Sequence, residues 1–87
     1  MDWKIEIKKS VAKEIKKLKK EVQKRIVNFL KKLEKCKNPR SHGKLLRGKK
    51  SELWRYRVGD YRIICKIEDK NVTILVLLIG HRKDIYR

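Results

Sequence analysis

Trp3, Ile5 and Ile7 alternate with Lys4, Glu6 and Lys8, the period of two expected of a strand with one buried face. The period then changes. Val11, Ile15, Leu18, Val22, Ile26, Phe29, Leu30 and Leu33 recur at helical spacing, with Ser10 placed to act as an N-cap. One unbroken helix over residues 11–35 would be roughly 37 Å long at about 1.5 Å per residue. That is longer than an 87-residue domain is wide, so the spacing predicts a helical hairpin broken near Lys19 and Lys20. Asn38-Pro39 closes the helical region, because the residue before a proline is pushed out of helical conformation.

Residues 40–51 read as a basic loop, with Leu45 and Leu46 pinning it to the core. Three strand signals follow: residues 53–58, 61–67 and 72–79 are β-rich runs separated by Gly59-Asp60 and by Glu68-Asp69-Lys70. Such short turns predict an antiparallel meander. The last run lacks clean alternation, which places it in the sheet centre. The predicted fold is α+β: a single domain over residues 1–87 with an N-terminal strand, a helical hairpin and a three-strand antiparallel meander, the helices packed on one sheet face.

Charge changes the picture. Lys and Arg number 27 against 10 Asp and Glu, a formal net charge of +17 at pH 7. So basic a body attracts polyanions, with nucleic acid the leading partner and an acidic protein segment the next. The charge is uneven: residues 1–50 carry 19 basic and 5 acidic side chains, whereas residues 51–87 carry 8 and 5. Lys13, Lys16, Lys17, Lys20, Lys24, Lys31 and Lys32 are either a solvated helix surface or a docking face for a nucleic-acid phosphate backbone. Cys36 and Cys65 have no zinc-type spacing, so no metal, cofactor or disulfide framework is expected. No apolar run is long enough for a signal peptide or a membrane span, so no membrane partner and a cytoplasmic location are expected.

The few charges of the meander mean more than the many of the helices. Alternation puts Trp54, Tyr56 and Val58 on one face and Arg55 and Arg57 on the other. If Gly59-Asp60 is a two-residue loop, Val58 pairs with Tyr61 and Arg57 lies directly across from Arg62. Opposed like charges destabilise a sheet by up to roughly 1 kcal/mol. A bound phosphate would remove that cost and suits the planar guanidinium fork; solvated arginines on an open face are the other reading. His81, Arg82 and Tyr86 follow the last strand.

The runs Leu45-Leu46-Arg47-Gly48, Leu53-Trp54-Arg55-Tyr56-Arg57-Val58-Gly59-Asp60-Tyr61-Arg62-Ile63-Ile64 and Ile79-Gly80-His81-Arg82-Lys83-Asp84-Ile85-Tyr86 resemble the RelE/ParE toxin superfamily, and the RelE branch more closely. The resemblance implies the toxin of a type II toxin–antitoxin pair, a ribosome-dependent endoribonuclease that cuts mRNA in the A site. It places the catalytic set on Arg55, Arg57, Arg62, Arg82 and Tyr86: Tyr86 as general base, Arg62 as stabiliser of the scissile phosphate, Arg55 and Arg57 in support, and Arg82 on the leaving side. His81 is a further candidate for proton transfer. The first two positions, often lysine in the family, are arginine here. Implied partners are a RelB-like antitoxin, the ribosome with its mRNA, and operator DNA only through the antitoxin. The alternatives are a ParE-like inhibitor of DNA gyrase and a non-catalytic basic nucleic-acid-binding module.

Overall fold

The computed structural model describes residues 2–46 and 53–81. Strand β1 (Lys4–Ile7) leads into helices α1 (Lys9–Lys16) and α2 (Lys20–Lys35). A single 3₁₀ turn (Pro39–His42) follows, then a two-residue strand β2 (Lys44–Leu45). The hairpin strands β3 (Trp54–Val58) and β4 (Tyr61–Glu68) and a long β5 (Thr73–His81) complete the sheet, in the order β1-β5-β4-β3-β2. All pairings are antiparallel except β1 with β5.

The helical hairpin forms where predicted, and its break is stabilised without Gly or Pro. Lys17 is the last residue near helical geometry and Lys19 is extended. The end of α1 exposes carbonyls that the helix cannot pair itself. Gln23, one turn into α2, donates its side-chain amide to the Leu18 carbonyl at 2.7 Å and to that of Lys16 at 3.3 Å. The body extends 33 × 29 × 22 Å, which a straight helix over the same residues would overrun. Ser10 is not the N-cap: α1 starts one residue before it, and neither Lys8 nor Lys19 makes a side-chain cap. A cap is worth about 1 kcal/mol, less than burying Val11 at 2 % exposure.

The helices cover one sheet face. Val11, Ile26, Leu30 and Leu33 pack on Tyr56, Ile63, Cys65, Ile67, Ile74, Val76 and Ile79, all buried. Burial pushes the Cys65 thiol up to about 12, so it stays protonated and acts as apolar filler. β5 lies between β1 and β4, as its hydrophobicity implied, but its irregular alternation has a second cause. Cys65 pairs with Val76 while Ile64 pairs with Leu78, so Leu77 is an extra residue in a β-bulge. The bulge resets the phase and lets both Val76 and Ile79 face the helices.

Residues 40–46 of the basic loop are more structured than expected, and residues 47–51 lie outside the described residues. Asn38 accepts the Arg40 amide at 3.2 Å, Ser41 donates its hydroxyl to the Asn38 carbonyl at 2.7 Å, and the chain then enters β2 against β3. Leu45 does not pin this loop: it is 48 % exposed at the sheet margin, and β2 pairing holds the segment in its place. Two further contacts fix it. The buried Tyr56 hydroxyl donates to the Pro39 carbonyl at 2.7 Å. Arg40 donates two hydrogen bonds to the Asp69 carboxylate, at 3.0 and 2.8 Å, and lies 5.9 Å over the Trp54 ring. The same guanidinium holds the Asp69 carboxyl below its ordinary value.

Tyr56→Phe removes the donor and leaves the Pro39 carbonyl buried without it; a loss of about 1–3 kcal/mol is expected, seen as a fall in Tm of at least several degrees. Gly43→Ala is expected to destabilise by roughly 1–3 kcal/mol in chemical denaturation, because a Cβ there would stand 2.8 Å from a Tyr56 ring carbon and 2.9 Å from the Arg55 carbonyl oxygen.

Candidate nucleic-acid interface

The arginine arrangement begins with one turn. Val58 pairs with Tyr61, leaving Gly59 and Asp60 as a two-residue loop, and Gly59 has φ of +59° at its first position. A positive φ there is what a II′ hairpin turn requires and what glycine accepts without strain. The tight turn sets the register and the register sets the faces. Trp54, Tyr56 and Val58 pair with Cys65, Ile63 and Tyr61 towards the helices. Arg55 pairs with Ile64, and Arg57 with Arg62, on the opposite face. The expected confrontation of Arg57 and Arg62 is therefore present.

β2 extends this row. Lys44 pairs with Arg55, so a fourth cation joins from the sheet edge. The 3₁₀ turn closes one side, and the result is a cleft of about 370 Å³ lined by Ser41, His42, Gly43, Lys44, Arg55, Arg57 and Arg62. That volume falls in the range of small-ligand sites. Among the described residues, four of the seven that line it are cationic and none carries a carboxylate. A second cavity of about 380 Å³, at Trp3, Lys37, Asp69 and Val72, mixes signs and makes no comparable anion site.

The cations differ in exposure. Arg57 is exposed, Arg55 half-buried and Arg62 only 5 % exposed, with its Nη1 donating to the Tyr61 carbonyl at 3.3 Å. A guanidinium withdrawn from water interacts with an incoming anion through less screening than an exposed one. Arg62 thus anchors the floor of the cleft, with Arg57 and Lys44 at its rim. The face also holds apolar surface, since Ile64 is buried between Arg55 and Leu78 in the pairing and Leu78 is 51 % exposed.

Of the residues read from the sequence, the structure brings Arg55, Arg57 and Arg62 together. It does not bring His81 to them. His81 pairs with Tyr61, so it stands on the helix side of the sheet, its ring edge-on to the Tyr61 ring at 5.5 Å. Arg82 and Tyr86 lie outside the described residues. Ser41, His42 and Lys44 were missed. Only a short strand signal at Lys44-Leu45 before the glycine-bounded loop pointed to them, and two residues are too few to show a period. Among the described residues no three His, Cys, Asp or Glu side chains are grouped to hold a metal, and no helix is long and apolar enough to cross a membrane.

Residues 5–86 match the family model described as ParE toxin of type II toxin–antitoxin system. Toxin RelG of Mycobacterium tuberculosis is 40 % identical over 45 residues, a match that spans 52 % of this chain and 52 % of that protein. Among solved structures, the archaeal RelE–RelB complex of Pyrococcus horikoshii aligns with a TM-score of 0.79 and 32 % identity, covering 94 % of this chain and 97 % of its counterpart. A toxin–antitoxin complex from Mycobacterium tuberculosis shares the fold, with a TM-score of 0.82 at 24 % identity over 94 % of this chain and all of that one. With this sheet order, this helical hairpin and a match over nearly its full length, the chain belongs to the RelE/ParE superfamily of toxin–antitoxin toxins.

Proposed function

We propose that this chain is a RelE-type toxin that cleaves mRNA in the ribosomal A site. The observation that carries the reading is the cleft in which Lys44, Arg55, Arg57 and Arg62 converge, with no carboxylate among the described lining residues. Gyrase inhibition by a ParE-like protein, which the description of the matching family model favours, does not call for a concave polycationic site on the sheet.

Cleavage proceeds by attack of a ribose 2′-oxygen on the adjacent phosphorus. The P–O2′ bond forms, the P–O5′ bond breaks, and the products are a 2′,3′-cyclic phosphate and a 5′-hydroxyl. The step needs removal of the 2′ proton, neutralisation of charge on the non-bridging oxygens and a proton for the departing 5′-oxygen. Arg62 meets the scissile phosphate, with its fork supplying paired hydrogen bonds. Arg55 and Arg57 hold the neighbouring backbone, and Tyr86 removes the 2′ proton. Arg82 contacts the leaving side. The ribosome presents the mRNA in the reactive geometry, so free RNA is a poor substrate.

A RelB-like antitoxin is the partner this reading requires, as in the Pyrococcus horikoshii complex. An acidic segment of that antitoxin meets the same cations and excludes RNA. The helix lysines add nonspecific attraction to ribosomal RNA, which weakens as salt rises.

On programmed ribosomes, wild type is expected to cut the A-site codon and leave 2′,3′-cyclic phosphate ends. Arg62→Ala should reduce single-turnover cleavage by on the order of 10²–10³-fold, the effect of removing one donor aimed at developing charge. Wild type that binds ribosomes, leaves mRNA intact and stalls gyrase would overturn the nuclease reading. Arg57→Glu, a change at an exposed rim position, should lower RNA affinity and flatten its salt dependence without lowering Tm.

A further inference from the structure

The cleft holds a proton-transfer group to which the family resemblance gave no role. His42 closes the 3₁₀ turn and lines the same 370 Å³ cleft as Arg55, Arg57 and Arg62. The other described groups in the lining are poorly suited to moving a proton near neutral pH. Guanidinium does not deprotonate in proteins, and a lysine ammonium holds its proton firmly at neutrality. The Ser41 hydroxyl already donates to the Asn38 carbonyl. Imidazole is the side chain that gains and loses a proton between pH 5 and 8.

The position of His42 is constructed rather than incidental to a loose loop. Tyr56 ties Pro39 from the buried side, Arg40 ties the turn to Asp69, and Gly43 passes so close to Tyr56 and Arg55 that a Cβ would not fit. β2 then begins at Lys44, in register with Arg55. These contacts bracket His42 on both sides and set it at the cleft wall. His81, by contrast, stands on the other face of the sheet beside Tyr61.

We infer that His42 is the general acid of the cleft, donating its proton to the departing 5′-oxygen as the P–O5′ bond breaks. The inference rests on the nuclease reading and deepens it. As the 2′-oxygen attacks and gives up its proton to the general base, the imidazolium of His42 passes one proton to O5′, becomes neutral and is reprotonated from water. The charged groups that line the cleft with it, among the described residues, are Lys44 from β2, Arg55 and Arg57 from β3, and Arg62 from β4. The phosphodiester anion enters among these four cations, in the cleft that His42 also lines.

The test uses wild type and His42→Gln on programmed ribosomes, with an mRNA carrying either oxygen or sulfur at the bridging 5′ position of the cut bond. Sulfur leaves as a thiolate and needs little protonation. On the oxygen substrate, His42→Gln is expected to lose about 10²–10⁴-fold in single-turnover rate, the usual contribution of a positioned acid. On the sulfur substrate it should cleave within a few-fold of wild type. The variant's Tm should stay unchanged, because His42 is exposed. Equal slowing on both substrates, or no slowing on either, would overturn the role of His42 while leaving the nuclease reading in place. Intact mRNA with wild type and both substrates would overturn the two together.

Discussion

The site depends on one electrostatic confrontation, Arg57 against Arg62 across the β3–β4 pair. Like charges directly opposed on a sheet are unfavourable by up to roughly 1 kcal/mol, and the hairpin holds them there because its two-residue turn admits no other register. A slip by one residue would send Tyr56 and Ile63 to the outer face and the arginines into the helix-covered core, at a cost many times larger. The core therefore enforces the repulsion.

The rest of the molecule can be understood as support for that face. Among the described residues the helices cover the sheet face opposite the cationic row. The segment after α2 rounds the sheet edge under three restraints, from Tyr56, Asp69 and β3, and delivers Lys44 and His42 to the same cleft. Those restraints come from residues far apart in sequence, and each fixes the cleft wall rather than the cleft floor. A chain with a net charge of +17 is driven towards polyanions wherever they lie. The register and the loop together turn that general attraction into a shaped site.

Much of this was legible in the sequence, for reasons that differ by element. The helical hairpin followed from a length argument, although the Gln23 amide that bonds the Lys16 and Leu18 carbonyls at the break is a tertiary detail without a sequence signal. Arg55, Arg57 and Arg62 could be grouped because strand alternation and a glycine turn leave few registers. The cleft wall was not legible. Lys44–Leu45 is too short a strand to show a period, and the Arg40–Asp69 ion pair joins residues 29 positions apart. Ser10 misled because a good capping residue is a weak preference beside the burial of an apolar helix face. His81 follows Gly80 and Ile79 in a strand, and its face was hidden by the bulge at Leu77, which shifts the alternation by one.

The central claim is that phosphate is held by the sheet cleft rather than by the lysine-covered helices. Titrating the protein with a short RNA whose 2′-hydroxyls are methylated, so that it cannot be cut, while following the arginine side-chain N–H resonances by NMR tests this most directly. Saturable shifts of Arg55, Arg57 and Arg62, lost with Arg57→Glu, are the predicted result. Shifts confined to the amides of α1 and α2, with the three guanidinium groups unmoved, would contradict it.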